Sequence, residues 1–279
     1  MAPVDEAGPV GVLRAQLGAY LLLVRIAFRQ AAQYRASLAL MTATEVAATM
    51  LDLAAIGIVF AHLPALDGFS LAEVAFLYGT SALAFALAEA LVGPVDRLGW
   101  HIRDGRFDVV LIRPVSVLVQ AATLSFAPQR IGRVVQPAVI VVVSCAALDV
   151  DWTAGRTLLV PAMVLCGTVI AGSAFVAAAS VLFVAPDATV AVAALAQGSA
   201  LAARYPMTIY GRRLGLLLTV AAPIGFVSWL PALYVLDRPD PFGLPFATRF
   251  ASPLVALLAA AVATLAWRAG VRRYRSTGN

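Results

Sequence analysis

Four of the polar side chains in the first long apolar run of this chain are spaced at steps of three, four and three residues: Thr42, Glu45, Thr49 and Asp52. At 100° per residue, that spacing gathers them into one stripe along a helix. A carboxylate near the centre of a bilayer costs about 2.5–3.5 kcal/mol on insertion scales, so such acids must face protein or water rather than lipid. The stripe could wall a cavity that contacts a polar or cationic part of a cargo, or Glu45 and Asp52 could carry protons through an ion-coupled secondary transporter. The structural alternative is a helix contact in which the acids are neutral or paired with an arginine or a hydroxyl.

Little else in the chain suggests chemistry. Every basic side chain is arginine, and there is no lysine. A Walker A motif needs its lysine, so ATP hydrolysis by the P-loop route is excluded, as is Schiff-base catalysis. Cys145 and Cys166 lie within apolar runs without CxxC or zinc spacing, which fits them as small apolar packing residues. His62 and His101 have no ligand companion at the fourth residue along. No nucleophile, acid–base pair or metal set converges within the apolar runs, so no catalytic residue and no metal ligand is assigned.

The elements that must position the stripe are long and apolar. The chain is 62% hydrophobic and only 13% charged, far from the usual soluble balance. Six runs stand out, at about 36–61, 70–92, 134–150, 157–185, 214–236 and 251–267. About 20 helical residues cross a bilayer core, and most of these runs reach that length. The expected fold is therefore an all-α integral membrane protein with six transmembrane helices. All 279 residues fall in a single transmembrane domain, with no stretch left for a separate aqueous one.

The arginines set the expected orientation. With the N-terminus inside, 17 of them fall in inside segments and three outside, at Arg156, Arg238 and Arg249. The positive-inside rule selects that arrangement and puts both termini in the cytoplasm, in a bacterial-type cytoplasmic (inner) membrane. The net charge of +5 is thereby a matter of topology, and no nucleic-acid partner is expected. Residues 9–34 carry arginines on both sides of a short apolar stretch, the pattern of an amphipathic interfacial helix. The segment 231–250, dense in proline and aromatics, reads as a broken, re-entrant outer element. Pro223 interrupts the fifth run and is a candidate gating kink. Glu89 reads as an interfacial acid paired with a loop arginine, whereas Glu73 at the outer start of the second run needs no special role. The small residues from Gly167 to Ser180 read as an intrasubunit packing face.

The inside segment 93–133 is the longest polar stretch, and its charges alternate with exposed-looking Trp100, Phe107 and Leu111. That mixture suits either a docking surface for a soluble partner or a solvated loop anchored to headgroups. Within it, Gly105-Arg-Phe-Asp108-Val-Val-Leu111-Ile-Arg113-Pro114, followed by Gln120, resembles the loop pattern of ABC-2 type permeases, the membrane half of certain ABC exporters. Tyr205-Pro206 through Gly211, and Pro223-Ile-Gly-Phe226 leading to Leu230-Pro231, resemble further stretches of that family.

The resemblance covers nearly the whole chain and implies an ABC-2 (type V exporter-like) permease. By that resemblance the loop between spans 2 and 3 holds the coupling helix that docks on an ATPase, here with Trp100, Arg103, Asp104, Gly105, Arg106, Phe107, Asp108, Arg113 and Pro114 as its residues. It also implies that no cofactor binds this chain, with ATP and Mg held by a dimer of ABC ATPase subunits. A second permease subunit completes the pathway, a heterodimer being favoured over a homodimer. An apolar cavity with few acids points to an amphipathic, lipid-like or drug-like cargo, moved outward by alternating access.

Overall fold

The computed structural model describes residues 9–33, 35–63, 65–113, 115–123 and 129–275, although not every side chain within the first two helices nor those at 94 and 129–132. The described residues are helical, without strands; one isolated bridge joins Leu66 to Phe69. In chain order the α-helices are α1 (Pro9–Gln33), α2 (Arg35–His62), α3 (Leu71–Val92), α4 (Leu98–Arg103), α5 (Arg106–Leu111), α6 (Val117–Thr123) and α7 (Gln129–Ala147). They continue with α8 (Ala154–Ala179), α9 (Thr189–Ala202), α10 (Gly211–Leu216), α11 (Trp229–Val235) and α12 (Ser252–Arg273).

Helix α3 is the centre of the bundle. Ser70 starts it with a capping box: its hydroxyl accepts from the Glu73 amide, and the Glu73 carboxylate accepts from the Ser70 amide. Beyond that cap the helix is apolar nearly all round, as a helix enclosed by others must be, and Val74, Phe76, Leu77 and Tyr78 are fully buried. It lies between α7 and α8, with α12 against α8 and α2 against α7. Small residues set the spacing: a methyl group at Gly79 would sit 3.0 Å from Ile140 and 3.1 Å from Val141, so α7 approaches nearly to backbone contact. Hydroxyls inside these helices bond back to their own carbonyls, as Thr80 does to Phe76 (2.7 Å) and Thr168 to Val164 (2.8 Å). Without water, that local bond is how a buried hydroxyl is satisfied.

The outward faces are apolar as well. Leu158 and Leu165 of α8, Val139 and Val142 of α7, and Leu257 and Leu265 of α12 are all exposed. A continuous apolar exterior over three or four helices is what lipid requires and water penalises. Leu71–Val92, Ala154–Phe183 and Ser252–Arg273 are long and apolar enough to cross a membrane.

The bundle has two distinct ends. The short helices α4 to α6 gather at the one called inner here, whereas the connectors around residues 63–70, 148–153 and 236–251 gather at the other, the outer end. Between them α9 runs antiparallel to α3. At its start Gly99 abuts Pro186 and Thr189; farther along, Gln197 and Ala200 face Ala82 and Phe85 across a cleft. Past its end, the Arg204 guanidinium lies 5.4 Å from the Tyr78 ring centroid, and Ile209 meets Leu66 and Val74.

This path corrects the expected fifth span. The run 214–236 is not one crossing helix: Met207–Ala221 and Ile224–Val235 meet at a 73° bend. Pro223 supplies no amide hydrogen to continue a helix. Gly225 lets the chain fold back on itself, since a methyl group there would come within 2.5 Å of the Thr219 side chain. The break falls at Pro223, where the fifth run was expected to be interrupted, and ahead of the 231–250 segment that was expected to be the broken one, which begins inside α11. Thr189–Ala202, 14 residues long, instead runs from the inner end toward the outer one ahead of that bent pair. Among the described residues, Arg204, Arg212 and Arg213 thus follow α9 toward the outer end rather than lying with the inner segments to which the sequence assigned them.

Candidate functional site

The inside segment 93–133 is a folded helical module rather than a loop. Gly93–Arg97 continues α3 as a tight 3-10 turn, and α4 follows directly. Gly105 adopts φ +69°, a left-handed conformation that glycine takes without strain, and thereby turns the chain from α4 into α5. The fully buried side of Gln120 pins α5 to α6, its amide donating to the Val110 carbonyl (3.0 Å) and the Val115 carbonyl (2.8 Å).

Two other inner segments clasp this module. Arg103, at the end of α4, is 3.1 Å from Asp187 in the short connector between α8 and α9. Phe107 on α5 inserts among Phe183 at the end of α8 (5.3 Å between centroids) and Tyr274 beyond α12 (4.9 Å). Phe183 also contacts Trp267 edge-on at 5.0 Å. The Tyr274 hydroxyl donates to Asp108 at 2.8 Å. Three segments distant in sequence thus meet at one end through a ring cluster, whose edge-to-face contacts add to the stabilisation from burial.

This placement divides the residues that the sequence assigned to docking. Phe107 has no exposed surface, so it belongs to the core and not to a docking surface, because the ends of α8 and α12 cover it. Asp108 is half-buried and engaged with Tyr274. Trp100, Arg103, Asp104, Arg106 and Arg113 face outward, with the Arg106 guanidinium 4.0 Å from the Asp104 carboxylate. Pro114 lies outside the described residues. Val109 and Ile112 are exposed beside them, Ile112 at 81%. Neither was singled out from the sequence, yet both sit on the face of α5 opposite Phe107 and Val110, a pattern its helical period contains.

His101, on the turn of α4 between these groups, has its pKa lowered from the usual histidine value by burial, then by the charges of Arg106 and Arg97, with Asp104 opposing. It is held neutral at physiological pH.

Of the polar stripe, Thr42 is half-buried on α2. The side chains of Glu45, Thr49 and Asp52 lie outside the described residues. Pro223 stands at the bend between the two halves of the broken element. Glu89 pairs with Arg133 of α7 at 2.9 Å. Glu73 has a role that its position did not suggest: besides capping α3, it accepts two hydrogen bonds from Arg238, at 2.8 and 2.9 Å. The Ser70-x-x-Glu73 spacing carries a capping-box signature that was passed over, and nothing in the sequence points to a partner 165 residues away.

A family model described as ABC-2 family transporter protein matches residues 46–278. The chain belongs to that family. No curated protein matches the chain, and no solved structure does. An ABC-2 permease is the transmembrane subunit of an ABC transporter, carries no ATPase of its own, and implies an ABC ATPase as partner. In this permease the small residues of α8 face its own chain: Gly167 abuts Val227 and Ala84, and Gly172 abuts Val92 and Ala88.

Proposed function

We propose that this permease exports an amphipathic, lipid-like or drug-like cargo by alternating access, driven by ATP and Mg bound to a separate ATPase dimer that docks on α4 and α5. The observation that carries the reading is the two-sided character of that module. Its inner side is locked by Phe107 and Asp108 to the ends of α8 and α12, while its outer side presents Trp100, Val109 and Ile112 among charged groups. An exposed apolar patch rimmed by charge is the anatomy of a docking site. A push on the α4–α5 module would reach α8 and α12 through the ring cluster at Phe107.

In this reading six helices cross the membrane, α2, α3, α7, α8, α9 and α12, with α1 in the cytoplasmic interface and both termini inside. The bent pair Met207–Ala221 and Ile224–Val235 dips in from the outer side, and its bend at Pro223 moves as the pathway opens. One bundle of this size is small for a translocation path, so two permease subunits form it between them, in our reading a heterodimer. The stripe of Thr42, Glu45, Thr49 and Asp52 on α2 would then face that path.

The test is affinity purification of the full chain from its native membrane in mild detergent. An ABC ATPase should co-purify at a fixed ratio, and Trp100→Ala combined with Ile112→Ser should remove it while the permease remains folded. Recovery of a self-contained oligomer without an ATPase would overturn the reading.

A further inference from the structure

A cleft of about 640 Å³ opens at the inner end between the last turn of α12 and the connector after α8. Ile102, Phe183, Val184 and Pro186 form its apolar side, and Arg272, Arg273 and Arg275 supply three guanidinium groups with no carboxylate among the lining residues. The nearby acids are occupied elsewhere: Asp187 by Arg103 and Asp108 by the Tyr274 hydroxyl. Arg272, Arg273 and Arg275 are all exposed.

We propose that this cleft is a binding site for the phosphate headgroup of an anionic phospholipid. The chemistry matches in both halves. Guanidinium groups pair with phosphate oxygens through two parallel hydrogen bonds, and clustered arginines directly inside a membrane helix attract anionic lipids. The apolar half continues outward over Val184 and Val181, both more than half exposed, so the first acyl methylenes have a surface to follow. That continuity from cation to lipid-facing apolar surface favours a lipid over a soluble acidic partner, which would approach the Trp100 face instead. Tyr274 lines the cleft and bonds to Asp108 of α5, so an occupied cleft would brace the coupling module. The site depends on the inner-end topology, and its failure would leave the ATPase-docking reading untouched.

The experiment is native mass spectrometry of the full chain, extracted from nanodiscs of phosphatidylcholine with one-fifth phosphatidylglycerol. One phosphatidylglycerol should be retained preferentially over phosphatidylcholine, and Arg272→Gln with Arg273→Gln should reduce that retention about tenfold. Arg268→Gln, which removes a neighbouring charge outside the cleft, should leave retention unchanged, and inorganic phosphate at millimolar concentration should not displace the lipid. Thermal melting of each variant checks that it is folded. Equal retention of both lipids, an equal loss in R268Q, or displacement by free phosphate would overturn the site. So would unchanged lipid retention in the double variant together with loss of the ATPase, which would assign these arginines to a protein partner.

Discussion

The two ends of this permease use the same side chain in opposite ways. At the outer end, Arg238 is held by Glu73 and by the Gly68 carbonyl, and Arg249 donates to the Arg238 carbonyl. Arg156 is nearly buried, bonded to the Asp151 carbonyl and 3.3 Å from Asp237. These arginines tie three connectors into one cap, and only Arg212 and Arg213 on α10 stand free of it in exposed positions. At the inner end Arg97, Arg106, Arg113, Arg268, Arg272, Arg273 and Arg275 are exposed, and the Arg103–Asp187 pair has a carboxylate side chain 90% open to solvent. One arginine there, Arg133, is held by Glu89 at 2.9 Å, but the inner module itself is held by its buried rings. Arg156, Arg238 and Arg249 are tied into the outer cap, whereas most of the described inner arginines stand exposed, where headgroups and an ATPase are expected.

The sharpest way to break the comparison is to remove the inner ring cluster. Phe107→Ala leaves a cavity among Phe183, Trp267 and Tyr274 and should cost about 3–5 kcal/mol, whereas Trp100→Ala on the exposed face should cost under about 1 kcal/mol. Thermal unfolding in detergent, followed by size-exclusion recovery, reads the difference. Equal melting of the two variants would mean that the module is not anchored through Phe107. Next in size is Gly99→Val, which drives a side chain into Pro186 and Thr189. Overpacking of this kind costs about 1–3 kcal/mol, and the same melting assay should place it between the first two.

The ion pairs give the comparison its direct form. Glu73→Gln should destabilise the outer cap by about 1–3 kcal/mol, because the Glu73 side chain is 10% exposed and the change leaves a charged Arg238 with a weaker acceptor. Hydrogen bonding to Glu73 raises the pKa of Arg238, so its charge persists at every accessible pH. Asp187→Asn at the inner end should cost about 0–1 kcal/mol, as exposed pairs do. A double-mutant cycle on each pair measures the two coupling energies, and an inner coupling equal to the outer one would erase the distinction.

How much of this was legible depends on what each signal encodes. Helices α3 and α12 were readable to within a residue or two at their outer starts, because a long apolar run and its first polar or proline residue mark where a span begins. Helix α9 was not, since it is only 14 residues long and Gln197-Gly-Ser199 lower its apolar content. The run 214–236 is apolar enough to be a span, and hydropathy does not distinguish crossing the membrane from dipping into it. The inner module was found by its charges and by family pattern. The helical period separates Phe107 from Ile112, but which of the two faces is buried is set by contact with the ends of α8 and α12, which no local window contains. The same holds for Glu73, whose partner is fixed by the fold.

The smallest expected effect lies in the titration of His101. Its folded pKa is below the usual value near 6.5, because burial and the charges of Arg106 and Arg97 disfavour the protonated form. Above about pH 6.5 the ring is neutral both folded and unfolded, and it contributes nothing to pH dependence. As the pH falls below that value, the unfolded chain takes up a proton that the folded chain refuses. Stability then declines with pH until the folded pKa is reached, and is constant below it. His101→Gln removes that proton, so the difference in melting temperature between wild type and variant should be flat above pH 7 and should shift in favour of the variant toward pH 5. Outer-end carboxylates titrate equally in both proteins and cancel in the difference. A flat difference across the whole range would mean that water reaches His101 freely, and that the inner module is looser than its ring cluster implies.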